Sequence, residues 1–190
     1  MKSKKNKCIL LIIILMLGIS NINSVSVNAT QKNSSQSFIN SIKYPAINQY
    51  RKYSILPSLT IAQAMLESGN GKSGLSVKAK NLFGIKTKND WNGKVFKSLT
   101  VEYINGNKVS VICKFKAYNS VAESIEDHSK LLLNSRYYTV RKADNYKKAC
   151  IEVQKCGYAT APDYATTLIS VIESNNLQKY DKLAKQVAKK

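Results

Sequence analysis

The hydrophobic period of this chain changes only in its middle. Val95–Ile104 and residues 108–115 are β-rich runs joined by Asn105-Gly106-Asn107, a strong short-hairpin signal, while the segments on either side recur at helical spacing. The expected architecture is α+β, mainly α: one helical domain interrupted by a single β-hairpin. Before the hairpin, residues 37–53 (SFINSIKYPAINQYRKY) carry helical spacing, with Pro45 expected in the first turn of a second helix. Leu56-Pro57-Ser58 reads as a stop followed by an N-cap at Ser58, after which LTIAQAMLES runs as an apolar helix to the turn Gly69-Asn70-Gly71. A short helix is expected over 75–79. After the hairpin, helical patterns cover 120–133, 144–156 and 162–174, with Gly157 as a helix C-terminal glycine and Pro162 opening the last helix. Residues 177–190 are lysine-rich and only weakly periodic.

The N-terminus has its own logic. Residues 1–7 are basic, residues 8–19 (CILLIIILMLGI) are apolar, and Val27-Asn28-Ala29 places compact residues where a signal peptidase reads. Residues 1–29 are therefore expected to be a secretory signal peptide cleaved after Ala29, with 30–36 a flexible N-terminal arm, 37–180 one domain and 181–190 a basic C-terminal tail. A spanning helix needs about 20 apolar residues, so no stable membrane anchor is expected after cleavage, and the protein is read as extracellular and monomeric.

Thirty Lys and Arg against 11 Asp and Glu give a net charge of +19, and removing the four leader lysines leaves +15. The lysines are spread along the chain with no recognisable nucleic-acid motif, so no nucleic-acid partner is expected. One His and three cysteines outside the leader offer no ligand spacing, which argues against a metal centre, and no cofactor is expected. Cys150 and Cys156 fall in one helical pattern about 9 Å apart, beyond disulfide reach. Buried free thiols are expected, with a bridge from Cys113 to either left open.

Glu67 is the most unusual acid. It ends an apolar helix and is followed at once by Ser68-Gly69-Asn70-Gly71, which leaves it partly desolvated but reachable. Desolvation raises a carboxyl pKa and keeps the group protonated, as a general acid requires. Glu102 lies in the first strand of the hairpin. A carboxyl at a helix end and another on a facing hairpin form the arrangement that glycosidic cleavage uses, one protonating the leaving oxygen and the other activating water or stabilising the sugar cation. Taken singly, each acid also fits a solvated position. Phe83, Trp91, Tyr103, Tyr118, Tyr158 and Tyr164 surround them in sequence, and aromatic faces suit sugar rings.

Four ordered blocks carry a resemblance: LPSLTIAQAMLESGNGKS, NLFGIK, TVEYINGNKVSVICKFKAYNSVAESIEDHSKLL and CGYATAPDYATTL. They are similar to the glucosaminidase domains of glycoside hydrolase family 73, found in bacterial autolysins and flagellar muramidase-like proteins. The resemblance spans about residues 38–180. It implies a lysozyme-like fold with a small β-hairpin lobe, and hydrolysis of the β-1,4 bond from N-acetylglucosamine to N-acetylmuramic acid in peptidoglycan. On the matching positions, Glu67 corresponds to the catalytic general acid, Glu102 to the second carboxylate and Tyr158 to a tyrosine that assists. Asn81, Phe83 and Gly84 correspond to the segment that shapes the cleft, and Tyr118 and Tyr164 to further aromatic positions, with Trp91 joining them as a substrate contact. Ala161 stands where the family often has Asp, and Asn70 where it often has an aromatic residue; neither departure touches the glutamates. The glycan strands would be the partner, and the basic surface would adhere to anionic wall polymers, screened by salt.

Rival readings on the same substrate are a muramidase, a lytic transglycosylase and a non-catalytic wall-binding protein. A Cys–His peptidase would have to use His128, which is expected to be structural and bonded near Asp127, with a cysteine at a helix C-terminus where the dipole disfavours a thiolate.

Overall fold

Helix α2 (Pro57–Ser68) organises the molecule, and its composition is the reason. Every residue from Pro57 to Met65 is buried, and a helix apolar on all sides is stable only inside a core. The structure is a computed structural model that describes the backbone of residues 24–104 and 107–188 and the side chains of 33–100 and 109–188. Around α2 pack α1 (Ser24–Tyr53), α6 (Tyr146–Lys155), α7 (Tyr164–Ser174) and α8 (Gln178–Val187). The short α3 (Gly74–Ala79) meets the hairpin, α4 (Val121–Leu131) lies against α1, and a 3-10 turn (Ser135–Tyr137) with α5 (Tyr138–Arg141) leads into α6.

Three local expectations are corrected. Pro45 does not open a second helix: α1 is continuous through it. An interior proline costs about 3 kcal/mol, but Ile39, Ile42, Ala46 and Ile47 on both sides of it are buried on one core face, which offsets the loss. Residues 30–36, expected as a loose arm, belong to the same helix. Ser58 is not the N-cap of α2. Leu56 occupies that position without a side-chain bond and Pro57 takes the first turn, where a missing N–H is harmless. The Ser58 N–H and hydroxyl instead donate to the buried Asp181 carboxylate at 2.8 and 2.7 Å.

That contact also revises the C-terminus. Residues 181–190 do not begin as a solvated tail, because α8 buries Tyr180, Asp181 and Ala184. Its carboxylate caps a helix 123 residues away, at the positive end of the α2 dipole.

Strands β1 (Val95–Ile104) and β2 (Asn107–Lys116) pair antiparallel from Val95↔Lys116 to Ile104↔Asn107. Asn107 therefore belongs to the strand rather than the turn, and Asn105 and Gly106 lie outside the described residues. Cys113, Cys150 and Cys156 form no disulfide; burial pushes the Cys150 thiol up to about 12. Among the described residues no helix is long and apolar enough to cross a membrane.

Candidate active site

Glu67 occupies the last turn of α2, where the chain leaves the core. Gly69 ends the helix in the left-handed conformation (φ +58°), which a residue with a Cβ adopts only at a cost. The carboxyl is half-buried. Its Oε1 accepts a 2.8 Å hydrogen bond from the Tyr164 hydroxyl, and its Oε2 is buried with no hydrogen-bond partner among the described residues. Burial pushes the Glu67 pKa up to about 7, partly opposed by the Tyr164 bond. A carboxyl held protonated near neutrality, with one oxygen fixed and the other unengaged, can give up a proton to a leaving oxygen.

The support beneath it is aromatic. Gln63, one helical turn before Glu67, donates to the Tyr164 oxygen at 3.1 Å and so orients the hydroxyl toward the acid. Tyr164 begins α7 and stacks on Tyr158 at 5.9 Å between centroids, with 18° between planes. Tyr158 in turn meets His128 edge-on at 5.7 Å, and His128 stacks on Phe83 at 3.9 Å. Tyr158 is placed by the end of α6. Gly157 (φ +68°) donates to Gln154 O and Tyr158 N–H to Val153 O, the paired bonds of a Schellman motif. Burial, with the Glu67 charge next in weight, pushes the Tyr158 phenol well up, so it stays a neutral hydroxyl.

Several expected substrate contacts are spent elsewhere. Asn81 is 1% exposed, and its side chain bonds the Phe83 and Ile85 N–H groups and the Ile85 and Lys116 carbonyls. It knits the NLFGIK loop to the base of β2 rather than presenting an amide to a ligand. Phe83 is fully buried under His128. Gly84 (φ +64°) has open space where a Cβ would stand. Tyr118 is buried and donates to Asp127 at 2.8 Å, and Lys116 pairs with the same carboxylate at 2.9 Å. Trp91, half-buried, has the Lys116 ammonium 4.3 Å from its ring centre and meets Tyr118 edge-on at 6.0 Å. These groups fasten the hairpin to α4. Tyr164 is committed to Glu67. Glu102 pairs with Val109 in the ladder, and its side chain lies outside the described residues.

Sequence reasoning missed Gln63 as a member of the site, although a glutamine four residues before Glu67 in an otherwise apolar helix was a usable signal. His128 is structural, but not as expected. Asp127 turns away to Lys116 and Tyr118, neither imidazole nitrogen has a hydrogen-bond partner among the described residues, and burial lowers the pKa to about 3, which keeps the ring neutral.

A mainly helical domain with one small hairpin, and a protonatable carboxyl where the core helix ends, has the layout of lysozyme-like glycosidases. The family model described as mannosyl-glycoprotein endo-beta-N-acetylglucosaminidase matches residues 43–177, and the chain belongs to this glucosaminidase family, glycoside hydrolase family 73. The catalytic domain of the autolysin Auto from Listeria monocytogenes is similar with a TM-score of 0.71 and 36% identity, over 85% of this chain and 99% of that one. The exo-glucosaminidase LytG of Bacillus subtilis (strain 168) is 38% identical over 165 residues, 84% of this chain and 58% of that protein. The peptidoglycan hydrolase FlgJ of Salmonella typhimurium is 34% identical over 153 residues, 78% of this chain and 48% of that protein. The chain thus spans less than two thirds of the length of these two curated relatives.

Proposed function

We propose that the protein is a secreted peptidoglycan hydrolase that cleaves the β-1,4 bond between N-acetylglucosamine and N-acetylmuramic acid, with Glu67 as general acid. The observation that carries this reading is the half-buried Glu67 carboxyl, raised to about 7 and fixed by Tyr164, with a second oxygen unengaged. In the ground state the acid holds its proton. As the glycosidic bond stretches, the leaving oxygen becomes basic enough to take it, and positive charge grows at the anomeric carbon. Glu102 on the hairpin is the candidate base for the attacking water. The alternative is the substrate's own acetamido group, oriented by the Tyr158 hydroxyl. Residues 1–29 act as the export signal, and the +15 surface adheres to anionic wall polymers.

Endo cleavage is the expected mode, and the exo activity in the name of the LytG relative makes product length the informative readout. Purified peptidoglycan is incubated with the protein, and the products are reduced with borohydride and identified by mass spectrometry. Reduced N-acetylglucosamine ends on oligomeric fragments are expected. Reduced muramic acid ends would assign a muramidase, anhydro-muramic ends a lytic transglycosylase, and no soluble product a binding protein.

A further inference from the structure

Beyond Glu67 the turn folds back tightly. Gly69, Asn70 and Gly71 all have positive φ (+58°, +57° and +77°), and the Ser73 N–H returns to Ser68 O at 2.8 Å. At Gly71 a Cβ would lie 2.7 Å from the Phe38 ring, so only glycine lets α1 close in on the turn. Between α1, this turn, α3 and the start of α4 a cavity of about 420 Å³ is left, separate in its lining from the Glu67, Tyr158 and Tyr164 cluster. That volume lies within the range of about 300–1,000 Å³ typical of small-ligand sites.

The lining is chemically mixed in a definite way. Phe38, Leu82 and Val121 supply an apolar wall, and Ser34 and Ser37 hydroxyls edge it. Asn70 also lines it, with its Oδ1 buried and without a hydrogen-bond partner among the described residues. Among the described residues that line it, Lys72 is the single charged group and none is a carboxylate. A fitting occupant carries a free carboxylate for Lys72, amide groups for the serines, and small alkyl side chains for the apolar wall. A glycan stripped of peptide carries only the lactyl carboxylate of its muramic acid units and no chain of backbone amides with alkyl side chains, and a wall polyphosphate lacks the alkyl groups.

We infer that this cavity receives the peptide stem borne by the muramic acid unit of a bound glycan strand, an assignment that rests on the peptidoglycan reading above. The stem is a short chain of amides with methyl groups and free carboxylates. The cavity opens beside Asn70, three residues past the acid, and two or three extended stem residues span roughly 7–11 Å. The site would make stem-bearing glycan the preferred substrate.

The test compares kcat/KM on stem-bearing strands and on the same strands stripped of peptide by an amidase. The wild-type protein is expected to prefer stem-bearing strands about tenfold. Ser37→Trp, which fills the cavity from its exposed side, and Lys72→Glu are expected to lose that preference while cutting stripped strands at the wild-type rate. Equal wild-type rates on both substrates, or a parallel fall on both in the variants, overturns the assignment. A binding measurement separates this from the hydrolase reading. Titration with L-alanyl-γ-D-glutamyl-L-lysine is expected to shift the amide resonances of Asn70, Gly71 and Lys72, about fivefold more weakly in Ser37→Trp. Shifts without cleavage of either substrate support the site and sink the hydrolase; cleavage with neither stem preference nor shifts does the reverse.

Discussion

Replacing Glu67 by Gln is expected to abolish hydrolysis and, above neutral pH, to stabilise the fold. The carboxyl rises from 4.5 to about 7 on folding. The folded state therefore binds this proton more tightly than the unfolded state. Stability from this source is full below about pH 4.5, falls as pH rises toward 7, and is level beyond. At about 1.36 kcal/mol per pH unit, the ionised group costs roughly 3 kcal/mol at pH 8 and under about 1 kcal/mol at pH 5. Glutamine keeps an oxygen to accept the Tyr164 hydroxyl. It also puts an amide nitrogen where Oε2 had no partner among the described residues, which returns about 1 kcal/mol. Urea unfolding is expected to show the variant about 2 kcal/mol more stable than wild type at pH 8 and within about 1 kcal/mol at pH 5. A variant less stable at pH 8, or an offset equal at both pH values, refutes the reasoning. The same ionisation places the alkaline limb of kcat/KM for the wild-type protein near pH 7.

Three further perturbations read other parts of the argument. Tyr164→Phe removes the bond that lowers the Glu67 pKa, so the alkaline limb of the pH–rate profile is expected to move upward; it also orphans the Gln63 amide, costing about 1–2 kcal/mol in a denaturant melt. Asp181→Ala strips both Ser58 bonds from the start of α2 and is expected to cost about 2–4 kcal/mol by the same measurement, although it lies in a segment that resembles a solvated tail. Asn81→Ala releases the base of β2, and faster amide exchange at Lys116 with reduced kcat is expected while Tyr164 still holds Glu67.

How much was legible in the chain follows from the range of the forces involved. The hairpin, the apolar helix ending at Glu67 and the glycine that turns the chain before Tyr158 were readable, because period, turn chemistry and left-handed caps depend on residues within a few positions. The Glu67 candidacy was readable for the same reason: an acid at the end of an apolar run beside a glycine turn is a local signal. Pro45 misled, because its local penalty is outweighed by the burial of Ile42 and Ala46, which propensity does not register. Asn81, Phe83 and Tyr118 had the residue types of a binding surface, yet hydrogen bonds commit Asn81 and Tyr118 to fastening the hairpin, and Phe83 is buried under His128.

By itself the sequence determined the hairpin, most of the helices and their order, and it marked Glu67 as the candidate acid. Only the tertiary structure decided what that acid experiences. Tyr164 lies 97 residues from Glu67, and Asp181 lies 123 from Ser58. Contacts of that separation arise when packing brings distant helices around α2, and it is their desolvation that turns an ordinary glutamate into a protonated one.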